Sequence, residues 1–86
     1  MGIKNKFYAV ENTNAKSKII DGKIYFDNYV VVKESETFYA VYKRYSKYWR
    51  PYDKNNIITS STTKNGACKK AKLLQIGYDM ALNDME

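Results

Sequence analysis

The chain has 86 residues, a net charge of +6 and 44% apolar residues, which suits one small domain and leaves no room for a second core. It contains no histidine and one cysteine, Cys68, and its acidic residues are scattered singly, so we expect no enzyme, no metal site and no cofactor. No apolar stretch is long enough to cross a membrane, and the first ten residues lack the pattern of a signal peptide. We therefore expect a cytoplasmic protein without a membrane partner.

The first half of the chain predicts strands separated by turns. Residues 6–10 are aromatic and β-branched, which is typical of a strand. Asp21-Gly22 lies between two apolar runs and predicts a hairpin with a type I′ turn, because both central residues of that turn need positive φ. The continuously apolar run 29–32 then predicts a strand that is buried on both faces.

The pattern of strands and turns continues to residue 60. Residues 37–44 predict a further strand, and residues 45–47 could form a turn after it. Residues 48–52 predict a strand that lies on an edge or is short, because Pro51 cannot donate to a ladder. Residues 53–56 read as a polar turn and residues 57–60 as a last strand.

The period of the apolar residues changes after residue 60, which predicts a C-terminal helix that ends near residue 83. Ser61, Thr62 or Thr63 is expected to cap it. One face carries apolar residues at helical spacing: Ala67, Ala71, Leu74, Tyr78 and Leu82. The expected core adds Phe7, Val31, Phe38 and Val41 from the sheet. The predicted fold is α+β, a single domain over residues 1–86, with an antiparallel sheet of four to six strands in 1–60 and one long helix in 61–84 packed on it.

The positive charge is concentrated in residues 43–72, where nine lysines and arginines stand against the single acid Asp53. Tyrosines alternate with these cations, as they do on sheets where rings stack on bases and cations hold phosphates. The helix also begins with lysines, an order that suits a phosphate at its N-terminus. The sequence therefore predicts a nucleic-acid-binding patch made of Lys43, Arg44, Lys47, Tyr48, Arg50, Tyr52, Lys64, Lys69 and Lys72. The alternative is that the tyrosines cover a small core and the lysines form a solvated surface.

Three short stretches resemble parts of nucleic-acid-binding families. Residues 62–72 resemble the helix start of double-stranded-RNA-binding domains. Residues 37–83 resemble the three-strand-plus-helix modules of phage and transposon integrase arms, and residues 6–10 with Cys68-Lys69-Lys70 are similar to the hybrid-binding module fused to some RNases H. These resemblances imply a nucleic-acid partner.

Two functions remain open from the sequence. The first is a small, basic, non-enzymatic protein that binds DNA or RNA. The second is a protein-interaction module, such as an anti-CRISPR-like phage inhibitor of a host defence or an inhibitor of a replication factor, because Tyr, Trp and Arg also dominate protein–protein hot spots. The many Lys, Asn, Ile and Tyr residues have A/T-rich codons, which favours a phage or mobile-element origin. The oligomeric state stays open, with a homodimer among the alternatives.

Overall fold

The structure is a computed structural model, and it describes residues 16–85. Its elements are β1 (Lys18–Ile20), β2 (Lys23–Tyr25), β3 (Tyr29–Ser35), β4 (Phe38–Arg44), β5 (Tyr52–Ser61) and α1 (Lys64–Met85). The five strands form one antiparallel sheet in the order β1-β2-β3-β4-β5, and α1 covers one of its faces. This α+β architecture confirms the predicted fold. The strand predicted over residues 6–10, and with it Phe7, lies outside the described residues.

The β1–β2 hairpin turns at Asp21 and Gly22 as the sequence predicts. Asp21 has φ of 53° and Gly22 has φ of 76°, so both central residues adopt the left-handed conformation. Aspartate tolerates this conformation better than most residues, and glycine has no Cβ to clash. The turn sets the register in which Ile20 pairs with Lys23.

Residues 29–32 of β3 are buried on both faces, which confirms the prediction from their unbroken apolar run, and residues 33–35 are exposed. Val31 pairs with Val41, and both belong to a cluster beneath α1 that includes Ala67 and Ala71. Val30 and Val32 point to the other face and pack with residues of the neighbouring strands, Ala40, Tyr42, Tyr25 and Tyr52. The side chains alternate across the pleat, so one strand contributes to two clusters.

Helix α1 begins after Thr63, whose Oγ1 accepts a hydrogen bond from the Gly66 N–H at 3.0 Å. This is the N-cap geometry that the sequence predicts for one of three candidate residues. Ala67 and Ala71 are fully buried against the sheet, and Leu74 and Tyr78 are partly buried on the same cluster.

The predicted burial of Phe38 and Leu82 is wrong, since 37% and 46% of these residues are exposed. Phe38 is the first residue of β4 and lies in the alternation with Ala40, which places it on the face away from α1. Leu82 lies one turn beyond Tyr78, whose ring meets that of Tyr29 at the first position of β3. Phe38 is therefore exposed on the face that the helix does not cover, and Leu82 is exposed because it lies beyond the contact of the helix with Tyr29.

The helix carries a buried polar residue that an apolar pattern does not detect. Gln75 is 1% exposed, and its Oε1 accepts the Asn28 N–H at 2.6 Å. Its Nε2 donates to Asn28 Oδ1 at 2.8 Å and to Asp79 Oδ1 at 3.1 Å. The amide thus satisfies both of its polar atoms and holds the turn between β2 and β3 against the helix.

The edge strand predicted over residues 48–52 is wrong, because residues 45–51 form a loop and β5 begins at Tyr52. The polar turn predicted over residues 53–56 is likewise part of β5, which continues to Ser61. Polar residues are tolerated there because β5 is an edge strand whose side chains stay largely exposed. The predicted last strand, residues 57–60, is the second half of the same element.

Candidate nucleic-acid interface

The basic segment 43–72 is divided between the two faces of the sheet. Its helix lysines lie on α1, which covers one face. The loop 45–51 follows Arg44, whose side chain lies in the alternation with Ala40 and Tyr42 on the other face. The single continuous patch suggested by the sequence is therefore two separate groups of cations.

Arg44 anchors the loop. It is only 9% exposed, and its guanidinium donates to three backbone carbonyl oxygens: that of Phe26, that of Lys47 at 3.3 Å and that of Trp49 at 2.6 Å. A planar fork with five N–H donors is suited to bind several carbonyls at once. The sequence predicts Arg44 as an exposed phosphate contact, whereas the structure buries it beneath the loop.

The charge of Arg44 is not neutralised by an ion pair in the part of the chain that the structure describes. Burial lowers the pKa of its guanidinium, and the nearby Tyr25 and Asp27 offset this in part. The guanidinium carbon lies 5.1 Å from the ring centroid of Tyr25, and the buried Nε has no hydrogen-bond partner among the described residues. A buried cation in this state gains free energy from a nearby anion.

A concave pocket of about 400 Å³ lies beside Arg44, between the loop 45–51 and the first two strands. We call it the basic pocket. Its lining contains five cationic side chains, Lys16, Lys18, Arg44, Lys47 and Arg50, against one acid, Asp27. The remaining lining residues are Ile20, Tyr25, Phe26 and Tyr48. Two separate segments of the chain, residues 16–18 and 44–50, therefore bring positive charge to one cleft, which makes it the most suitable anion site among the described residues.

Arg50 connects the two sides of this cleft. Its Nη1 lies 3.9 Å from Oδ2 of Asp21 in the β1–β2 turn, and both side chains are well exposed. Such a pair contributes little to stability because water and salt screen it. Arg50 can therefore exchange Asp21 for a phosphate at small cost.

Aromatic side chains surround the loop. Tyr48 is 82% exposed at the edge of the basic pocket, and the Nζ of Lys47 lies 5.2 Å from its ring centroid. Tyr45 and Trp49 are also mostly exposed. Tyr52 pairs with Arg44 and packs on Tyr42 with ring centroids 5.0 Å apart, so it lies on the same face of the sheet as Arg44 but does not line the basic pocket.

The other predicted contacts lie away from the basic pocket. Lys43 faces the helix, with its Nζ 5.3 Å from the ring centroid of Tyr78. Lys64 and Lys69 are exposed on the first turns of α1, and Lys72 is half-buried there. The structure thus brings together Arg44, Lys47, Tyr48 and Arg50 of the predicted set and separates them from the rest.

Sequence reasoning missed Lys16, Lys18 and Tyr25 as members of the site. They lie outside the charge-rich segment and reach it only because β1 and β2 fold beside the loop. The spacing Lys16-Ser17-Lys18 before the hairpin is the one local signal, since Lys18 lies on the same face as Tyr25, with which it pairs.

Nothing in the described residues points to metal or thiol chemistry. Residues 16–85 contain no group of three metal-binding side chains of the His, Cys, Asp or Glu type. Cys68 is half-buried, and burial raises the pKa of its thiol, an effect that Lys64 partly opposes. A raised pKa is the reverse of what an activated nucleophile needs.

Within the described range, α1 is not apolar enough to cross a membrane. Comparisons with protein-family models, with curated proteins and with solved structures find no significant match to this chain. The three local resemblances seen in the sequence are therefore not supported by a family match.

Proposed function

We propose that this is a small, non-enzymatic nucleic-acid-binding protein that contacts phosphates through the basic pocket. The observation that carries the proposal is the convergence of five cations from two chain segments on one cleft whose lining contains a single acid. Positive charge concentrated in this way is the usual basis for binding phosphates, and nearby tyrosines supply surfaces on which bases stack.

The division of the basic segment between two faces supplies a matched test. Lys47→Ala with Arg50→Ala removes two charges from the basic pocket, and Lys69→Ala with Lys72→Ala removes two charges from the helix. Both double variants change the net charge equally, so a difference between them reports position rather than total charge. Labelled duplex, single-stranded and hybrid probes are titrated with each protein over a range of salt concentrations.

We expect the pocket variant to lose at least about tenfold in affinity and to reduce the slope of log K against log salt by about 1.4–1.8, since each phosphate contact contributes about 0.7–0.9. The helix variant should change both quantities much less. Equal losses in the two variants would mean that the protein binds through its overall charge and would refute the role of the pocket. A wild-type protein that binds no probe at about 50 mM salt would refute nucleic-acid binding.

The second candidate function is a protein-interaction module, and one surface favours it. Strand β5 is an edge strand, and Ile57, Ile58 and Leu73 on or beside it are 46%, 38% and 54% exposed. An apolar groove of about 390 Å³ runs between this strand and α1. Edge strands with apolar neighbours are used to add a strand from a partner protein. Binding to no nucleic-acid probe would favour this function, with a host defence or replication protein as the partner.

The setting of either function is also a proposal. The abundance of Lys, Asn, Ile and Tyr supports an origin in an A/T-rich genome, such as that of a phage or mobile element. We also propose that the protein acts in the cytoplasm. A purified protein with a raised 260/280 absorbance ratio that falls in high salt would support a nucleic-acid partner. A low ratio at every salt concentration would favour the protein-interaction module.

A further inference from the structure

The shape of the basic pocket restricts which nucleic acid enters it. Its volume of about 400 Å³ lies within the range of about 300–1,000 Å³ that small-molecule sites occupy, and the loop 45–51 closes one side. A duplex presents phosphates on a convex surface and keeps its bases stacked inside. It can touch the rim, but it cannot place a base in the cleft unless that base leaves the stack.

The positive charge inside the pocket would be stabilised by an anion close to Arg44. Arg44 is only 9% exposed, and its Nε has no partner among the described residues. Asp27, the one acid of the pocket lining, forms no ion pair with it. Lys47 and Arg50 follow on the loop above it and remain exposed. A phosphate in the cleft would compensate the buried charge while the two exposed cations contact its outer oxygens.

The rim of the pocket offers one aromatic ring to a base. Tyr48 is 82% exposed, so its ring is accessible to a ligand. The ring of Tyr25 instead lies beside the Arg44 guanidinium, with 5.1 Å between centroid and guanidinium carbon. Tyr48 is therefore the ring of the pocket on which a base can stack.

We propose that the basic pocket binds one unpaired nucleotide, with its phosphate beside Arg44, Lys47 and Arg50 and its base on Tyr48, so that the protein prefers single strands and single-stranded overhangs to blunt duplex. This inference rests on the proposed function and names the ligand of the same site. The shared chemistry is a nucleotide with an accessible base, whether in DNA or in RNA.

The test compares four probes at one salt concentration: single-stranded DNA, single-stranded RNA, a blunt duplex, and the same duplex with a short single-stranded overhang. Unlabelled mononucleotide serves as a competitor. Three variants are measured beside the wild type: Tyr48→Ala, Tyr48→Phe, and the control Tyr45→Ala. Tyr45 is 65% exposed and follows Arg44 directly, but it lines a different depression near the end of α1.

We expect the strand and overhang probes to bind at least about tenfold more tightly than the blunt duplex. Tyr48→Ala should weaken binding to them by about 5- to 150-fold, the range that corresponds to one stacked base, and should leave blunt-duplex binding unchanged. Tyr48→Phe keeps the ring and should restore binding, and Tyr45→Ala should have little effect.

Three outcomes would overturn the inference. Blunt duplex bound as tightly as single strands, with no effect of Tyr48→Ala, would reject the unpaired nucleotide and leave the proposed function standing. If free mononucleotide displaces the labelled single strand at the same concentration as unlabelled single strand does, the pocket would instead be a site for a free nucleotide. Absence of binding to all four probes would reject the proposed function as well.

Discussion

Replacement of Arg44 by lysine tests whether its planar fork holds the loop 45–51. Lysine keeps the positive charge but presents one ammonium group on a flexible stem, which cannot reproduce the fork. The guanidinium of Arg44 donates to the carbonyls of Phe26, Lys47 and Trp49. We expect a lysine to retain one of these bonds and to lose two.

The expected loss of stability in Arg44→Lys follows from the two hydrogen bonds that lysine cannot make. A hydrogen bond from a charged donor contributes about 1.5–3 kcal/mol, so the gross loss is about 3–6 kcal/mol. Hydration offsets part of this loss, because the carbonyls of Lys47 and Trp49 belong to a surface loop and bind water when the loop opens. We expect the free energy of unfolding to fall by about 2–4 kcal/mol, which is large for a domain of 86 residues with a total stability of about 4–13 kcal/mol.

Urea unfolding followed by circular dichroism measures this loss, and the melting temperature should fall by at least about 8 °C. Arg50→Lys is the control, since Arg50 is exposed and its ion pair should contribute less than about 1 kcal/mol. Hydrogen exchange should also become faster at the amide of Trp49, which donates to the Ser46 carbonyl within the loop. If Arg44→Lys lowers the free energy of unfolding by no more than Arg50→Lys does, the guanidinium does not hold the loop.

Three further predictions concern the rest of the domain. Gly77→Ala should raise the free energy of unfolding by about 0.5–1 kcal/mol, because a Cβ there meets no atom within 4 Å. Gly66→Ala should lower it, because its Cβ would collide with Ser61 Oγ and lie 3.0 Å from Thr63 Oγ1 and 3.2 Å from Ser61 Cβ. Urea titration of both variants checks the opposite signs. Cys68 should react with a thiol reagent more slowly than free cysteine at pH 8, since burial raises its pKa, and a rate equal to that of free cysteine would contradict this. The free energy of unfolding should fall as the pH rises above about 10, because the unfolded chain then loses phenolic protons that the folded chain retains. Ultraviolet titration of phenolate should show these tyrosines ionising together with unfolding. The tyrosines concerned, whose pKa values burial raises, are Tyr29, Tyr42 and Tyr52.

The elements that local chemistry determines could be predicted from the sequence. The Asp21-Gly22 turn needs two residues that accept positive φ, and the Thr63 cap needs a hydroxyl before a helix, so each leaves a clear signal. The run 29–32 likewise indicates burial on two faces without knowledge of its neighbours.

A turn over residues 45–47 could be predicted, but the full extent of the loop 45–51 could not. Its aromatic and basic residues alternate as they would in a strand, and the reason they do not pair is the Arg44 guanidinium, which takes the carbonyls of Lys47 and Trp49. A side chain that organises backbone outside its own strand gives no periodic signal. Only part of the basic pocket could be predicted from the sequence. Lys16 and Lys18 are distant from the loop in the chain, and the tertiary fold brings them into the pocket.

The turn residue Asn28 joins three parts of the molecule. Its N–H and side chain bind Gln75 of the helix, and its carbonyl oxygen accepts the Arg44 N–H at 2.9 Å. Departure of the helix from the sheet would break the first set of bonds, so the Asn28 N–H would lose its acceptor, and Gln75 would keep only its bond to Asp79. The same movement would disturb the backbone from which the Arg44 side chain extends. The helix and the basic pocket therefore belong to one cooperative unit, although they lie on opposite faces of the sheet. Local opening of either one would destabilise the other.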